Sequence, residues 1–222
     1  MISAVFFDLD GTLADTAPDL AGALNQLLEE HKRPLLPFEI IRPAVSHGGN
    51  TLLRLAFPIA EDEPEFEGLR TRFLELYDSR RHRGTSFFPG MPEVLEALES
   101  EGLRWGVITN KPAWLTYPLL EQLGVAERVA CIVSGDSTDH RKPHPAPVLH
   151  ACEITGSAPA ASLYVGDAER DIAAGRAAGL HTLIARYGYI GGEEDPAQWQ
   201  ADGMIDHPQE IIDWIHAFRA GS

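Results

Sequence analysis

The sequence predicts an α/β fold, a doubly wound parallel sheet carrying an inserted helical unit. Short, nearly continuous apolar runs recur at long intervals, amphipathic stretches of helical spacing separate them, and one early interval is too long for a single helix. Continuous apolar runs mark parallel strands covered on both faces. Strands that alternate with helices imply parallel crossover connections.

The first run, "AVFFDL" (4–9), predicts a strand. After it, Leu20, Ala23, Leu24, Leu27 and Leu28 share one helical face, with Thr16 and Asp19 spaced as a capping box. Leu69, Phe73, Leu76 and Tyr77 make a second amphipathic stripe. A small helical unit over 16–84 is therefore expected, inserted into a core of 1–15 and 85–222, with hinges near 15–17 and 83–87. A turn at Pro89-Gly90 leads into a helix bearing Val94, Leu95 and Leu98, and "RWGVIT" (104–109) predicts the next strand. Leu115, Leu119, Leu120 and Leu123 form a helical face that ends at Gly124, a natural residue just past a helix. Pro118 inside that pattern implies a helix start or kink. "VACIVS" (129–134) is followed by prolines suited to a first helical turn and by Val148, Leu149 and Cys152. "SLYVGD" (162–167), a helix ending at Gly179, and "HTLIAR" (181–186) follow. Trp105 and Trp114 are expected in packing.

Composition narrows the function. A formal charge of −15 over 222 residues disfavours nucleic acid, which needs a dense basic patch. The most basic stretch, "DSRRHRGT" (78–85), reads as the solvated end of a helix. Cys131 and Cys152 lie in apolar surroundings without metal-binding spacing, so buried thiols in a reducing compartment are expected. No apolar run approaches a bilayer span, and the opening strand leaves no room for a signal peptide. The expectation is a cytoplasmic protein without nucleic-acid or membrane partners, a monomer or weak homodimer.

The chemistry gathers at strand ends, where open parallel sheets bind ligands. Strand one delivers Asp8 and Asp10, strand two Thr109 and Asn110, and "SLYVGD" delivers Asp167, with Asp171 four residues on. Lys142 precedes that strand in "RKPHP". Clustered carboxylates without His or Cys suit a hard, oxygen-seeking cation such as Mg²⁺, which would cancel their repulsion and take a substrate phosphate. The reaction class so implied is phosphoryl transfer.

"DLDGT" (8–12), Thr109, Lys142 in "RKP" and "GDAERD" (166–171) resemble the four motifs of the haloacid dehalogenase superfamily, in order, across essentially the whole chain. That resemblance implies a Rossmann-like core with a helical cap, and a phosphatase acting on a small phosphorylated metabolite. It implies Asp8 as nucleophile and Asp10 as general acid and base. Mg²⁺ would be held by Asp8, the Asp10 backbone carbonyl and Asp167, with Asp171 in support, and phosphate by Thr109, Asn110 and Lys142. Lys142 would also keep Asp8 ionised. Gly11 would give the backbone room to turn, and Thr12 would be structural. Dehalogenase and phosphonate-cleaving branches lack an acid at the Asp10 position, and mutases carry a cap histidine where this chain has Leu20.

In "RPAVSHGGNTLL" (42–53), Arg42, His47 and Gly48 are candidates to select substrate, the alternative being a simple turn. Asn110 could likewise begin a turn, and Asp171 could cap its helix. His140 and His144 read as solvated. The general likeness is to phosphoglycolate phosphatases. "RWGVITNKP", "RKPHPAPVLHA" and "GYIGGEEDPAQWQADGMIDHPQEI" are similar to bacterial N-acetylmuramic acid 6-phosphate phosphatases. A non-enzymatic phosphoacceptor is the alternative of another class; Asp10 and a cap argue against it.

Overall fold

The computed structural model describes residues 1–80, 83–192 and 194–221. The chain opens with β1 (Ala4–Phe7) and a two-residue β2 (Ala14–Asp15), then enters α1 (Ala17–Glu30), α2 (Phe38–Ile41), α3 (Gly49–Ala56) and α4 (Pro64–Arg80). It returns through β3 (Ser86–Phe87), α5 (Met91–Ser100), β4 (Arg104–Ile108), α6 (Ala113–Gln122) and β5 (Cys131–Val133). Then follow α7 (Ala146–Thr155), β6 (Ser162–Gly166), α8 (Glu169–Ala178), β7 (His181–Ala185), β8 (Gly203–Ile205) and α9 (Glu210–Gly221).

Among the described residues, β5-β4-β1-β6-β7-β8 form one parallel sheet, so the strand order reverses between β1 and β6. That reversal opens a crevice at the strands' carboxyl ends. Strand alternation divides the core between two faces. Val5, Phe7, Trp105, Val107 and Val165 pack with α5 and α9 on one side, while Ala4, Phe6, Ile108 and Tyr164 pack with α7 and α8 on the other. Both cysteines lie in the second cluster as free thiols, and burial pushes Cys131 up to about 12. None of the described helices is long and apolar enough to cross a membrane.

Several local expectations change. β8 was not expected: "GMI" is three residues long, too short for an apolar run to register. Helix α6 begins at Ala113 and runs through Pro118, so the proline does not start it. Trp105 is buried, but Trp114 is half-exposed, and Leu149 likewise points outward from α7. Residues 81 and 82 of the basic stretch lie outside the described residues; Arg80 ends α4.

The helices between β2 and β3 pack through α1 on α4 around Leu24, Leu27, Phe73 and Tyr77. The linkers that lead in and out pair as an antiparallel ribbon, Ala14 with Phe87 and Asp15 with Ser86. The expected Thr16–Asp19 capping box does not form. Thr16 Oγ1 donates to Asp10 at 2.6 Å, and Tyr189 Oη accepts the N–H groups of Thr16 (2.7 Å) and Ala17 (3.0 Å). A side chain 172 residues downstream thus does the capping, which frees Asp19 for another task. The buried Asp19 accepts from Gly84 N–H (3.2 Å), Thr85 N–H (2.9 Å) and Thr85 Oγ1 (2.8 Å), tying the returning linker to α1.

Asp19→Ala is accordingly expected to cost about 1–3 kcal/mol in urea unfolding, the cost of stranding charge-assisted hydrogen bonds. A change within about 0.5 kcal/mol, as at a free surface site, would contradict this role.

Candidate active site

Asp8 follows β1 and Asp167 follows β6, so the strand-order reversal sets them side by side, and Asp171 reaches them from the first turn of α8. These three buried side chains offer oxygens within 4.8 Å of one another. The set is all carboxylate, which fits a hard divalent cation such as Mg²⁺. The Asp10 carboxylate stands apart from it.

Lys142 Nζ lies 2.8 Å from Asp8 Oδ1 and 2.7 Å from Asp171 Oδ1, and donates to Ile108 O and Tyr164 Oη, both at 2.9 Å. It is buried and does not line the cavity in front of Asp8. Its protons are taken up by protein oxygens, and it adjoins the site at Asp8. Asn110, by contrast, lines the cavity beside Thr109. Its side-chain amide donates to Lys142 O and accepts from Lys142 N, both at 3.0 Å, so it holds the lysine's backbone.

Asp167 accepts from Thr12 Oγ1 (3.2 Å), Ser46 Oγ (2.6 Å) and Tyr189 N–H (3.0 Å). Gly11 sits at φ +90°, and a Cβ there would meet Asp167 Oδ2 at 2.1 Å. Both the left-handed backbone and the close carboxylate demand glycine.

A cavity of about 350 Å³ lies between the sheet's carboxyl edge and the helical insertion. Asp8, Asp10, Thr109, Lys111 and Arg170 line one end. Lys111 Nζ is 2.7 Å from Asp10 Oδ1 and 4.7 Å from the centre of the Tyr77 ring. Tyr77 is buried beneath this ammonium. The net charge is −15, yet Lys111, Arg170, Arg141 and Arg70 all face this cavity, so it can concentrate anions.

Of the insertion candidates, His47 and Gly48 line the cavity, with His47 Nε2 3.3 Å from Glu194, and Gly48 turning at φ +86° into α3. Arg42 does not line it. Its guanidinium donates to Tyr187 O at 3.3 Å and stacks 4.8 Å from the Tyr189 ring centre, a strut between insertion and core. His140 and His144 are exposed, as expected. Lys111 and Arg170 stand inside "TNKP" and "DAERD" and are legible there; Ser46 belongs to the 42–53 loop, though its bond to Asp167 has no local signal, and Tyr189 carries none.

Burial first, then the Asp171 charge, raises Asp8 to about 7 against the pull of Lys142 and Arg170. Burial and Asp171 also raise Asp167 to about 6, against hydrogen bonds from Ser46 and Tyr189. Raised carboxylates keep protons that the unfolded chain has already released. Stability therefore falls as pH rises from the ordinary carboxylate range through about 7. In EDTA the protein is expected to lose several degrees of Tm between about pH 5 and pH 8. A divalent cation, binding the ionised form, should abolish that loss. Thermal scans check both arms; a Tm that climbs with pH in EDTA would contradict the assignment.

Residues 5–185 match the family model described as haloacid dehalogenase-like hydrolase. The chain is 42% identical over 212 residues to the N-acetylmuramic acid 6-phosphate phosphatase of Pseudomonas aeruginosa, covering 96% of this chain and 94% of that one. It is 41% identical over 208 residues, 94% of each chain, to a phosphoglycolate phosphatase of Xanthomonas campestris. A crystal structure from Haemophilus somnus, described as a predicted phosphoglycolate phosphatase, superposes with a TM-score of 0.86 at 30% identity, covering 96% of this chain and 98% of that one. With its strand order, its strand-end carboxylates and these matches, the chain belongs to the haloacid dehalogenase-like hydrolase family.

Proposed function

We propose that this protein is a Mg²⁺-dependent phosphatase that hydrolyses N-acetylmuramic acid 6-phosphate through an aspartyl phosphate, with 16–84 acting as a cap over a core of 1–15 and 85–222. One observation carries the reading: Asp8 joins Asp167 and Asp171 in a buried carboxylate trio and also faces a cation-lined cavity beside Asp10. Relatives named as phosphatases, at 42% and 41% identity over nearly the whole chain, support the class.

In this reading Asp8 attacks phosphorus, the ester P–O bond breaks, and Asp10 protonates the departing alcohol. Asp10 then takes a proton from the water that cleaves the aspartyl phosphate, restoring both acids. Lys111 and Thr16, both bonded to Asp10 Oδ1, aim that carboxyl group. Thr109, Lys111 and Arg170 supply a donor and two positive charges for phosphoryl oxygens. Lys142 favours the ionised form of Asp8 and lies within reach of a phosphoryl group carried there. Asp8, Asp167 and Asp171 would hold Mg²⁺, which neutralises phosphoryl charge and keeps these carboxylates ionised. The cap would swing about the β2–β3 ribbon, excluding water when closed.

The substrate choice rests on the 42% relative and on a cavity roomy enough for a sugar; the 41% relative's name makes 2-phosphoglycolate the second reading. Measured with Mg²⁺, kcat/KM is expected to favour the sugar phosphate, and Asp8→Asn should lower kcat by at least about a thousandfold. Preference for 2-phosphoglycolate would transfer the assignment to that substrate. Activity that survives both EDTA and Asp8→Asn would rule out the mechanism.

A further inference from the structure

Two cations on the cavity wall, Arg70 and Arg141, have no part in the phosphoryl chemistry; Arg141 donates to Gly135 O at 2.7 Å, while Arg70 lies on α4. Arg70, Phe73, Leu74 and Tyr77 of α4 all line the cavity, at the i, i+3, i+4, i+7 spacing of a single helical stripe. Tyr77 marks the inner end of that stripe, since Lys111, bonded to Asp10, lies over its ring. Seven residues of helical rise place Arg70 about 10 Å from Tyr77 along the axis, at the outer end of the cavity. Between them Leu74 presents an apolar surface, backed by the buried Phe73.

Arg70 meets Glu67 at 3.1 Å on the same helix, with the two side chains 41% and 71% exposed. Such a surface pair contributes little and is readily exchanged. A guanidinium is a planar fork that matches a carboxylate through two parallel hydrogen bonds, so the wall offers a carboxylate a better partner than Glu67 does.

We propose that Arg70 determines specificity by binding a carboxylate that the substrate carries far from its phosphate. The proposal deepens the phosphatase reading and rests on it. In 2-phosphoglycolate only an oxygen and a methylene separate phosphorus from the carboxyl carbon, so its carboxylate stays near Asp10. In N-acetylmuramic acid 6-phosphate the carboxylate hangs from an ether across the ring from the phosphate, and the ring can lie along Leu74. The class selected is a phosphate ester of a carboxylated sugar.

The test compares N-acetylmuramic acid 6-phosphate with N-acetylglucosamine 6-phosphate, the same sugar without the acid-bearing ether, in wild type, Arg70→Ala and Arg70→Lys. Wild type is expected to prefer the carboxylated ester by about 10- to 100-fold in kcat/KM, the range of a charge-assisted hydrogen-bonded pair. The preference should collapse in Arg70→Ala through KM for the carboxylated ester, and return in part in Arg70→Lys, which keeps the charge without the fork. A preference that persists in Arg70→Ala, or an equal loss on both esters, overturns the assignment and leaves the phosphatase intact. Turnover of 2-phosphoglycolate alone does the same. No turnover of any of these esters would overturn the phosphatase reading itself.

Discussion

Asp8, Asp167 and Asp171 crowd three carboxylates within 4.8 Å, out of water, where their mutual repulsion is weakly screened. Lys142 makes the arrangement tolerable by ion-pairing with two of them, and its own burial is supported by Ile108 O and Tyr164 Oη. The surroundings are built to keep that ammonium in place. Asn110, at the end of β4, holds the Lys142 backbone from both its N–H and its C=O, so two strand-end loops are locked together. Neutralisation is incomplete, however. Burial still raises Asp8 to about 7 and Asp167 to about 6, and a divalent cation among these oxygens would supply the missing positive charge.

The same carboxylates tie the insertion to the core. Tyr189 donates its backbone N–H to Asp167, caps α1 with its hydroxyl oxygen, donates that hydroxyl to Asp15 at 2.7 Å, and offers its ring to Arg42. Ser46 reaches Asp167 from the insertion, and Thr16 holds Asp10 from the linker. Any movement of the insertion must therefore be felt at the proposed acid/base and at the proposed metal carboxylate. That coupling would serve an enzyme whose site is completed on closure.

What was legible follows from locality. A buried parallel strand announces itself by an apolar run, and the acids just past Phe7 and Gly166 are covalently bound to sit at the sheet's edge. Expectations based on side-chain partners fared less well. Thr16 and Asp19 have capping-box spacing, but Tyr189 satisfies the helix N-terminus from far along the chain. Arg42 sits in the loop that supplies His47 and Gly48 to the cavity, yet an aromatic face attracts its guanidinium elsewhere. Lys142 pairs with Asp8 and Lys111 with Asp10, and of the two Lys111 lines the cavity, a division that no local pattern shows.

The sequence by itself determined the parallel α/β class, the helical insertion's position in the chain and the gathering of acids at one sheet edge. These depend on apolar period, turn residues and covalent order, which are local. The tertiary structure alone decided which ammonium neutralises Asp8, which steadies Asp10, what caps α1, and that Arg70 shares a wall with Tyr77. Each is a pairing across many residues, set by distances of a few ångströms that no local pattern encodes.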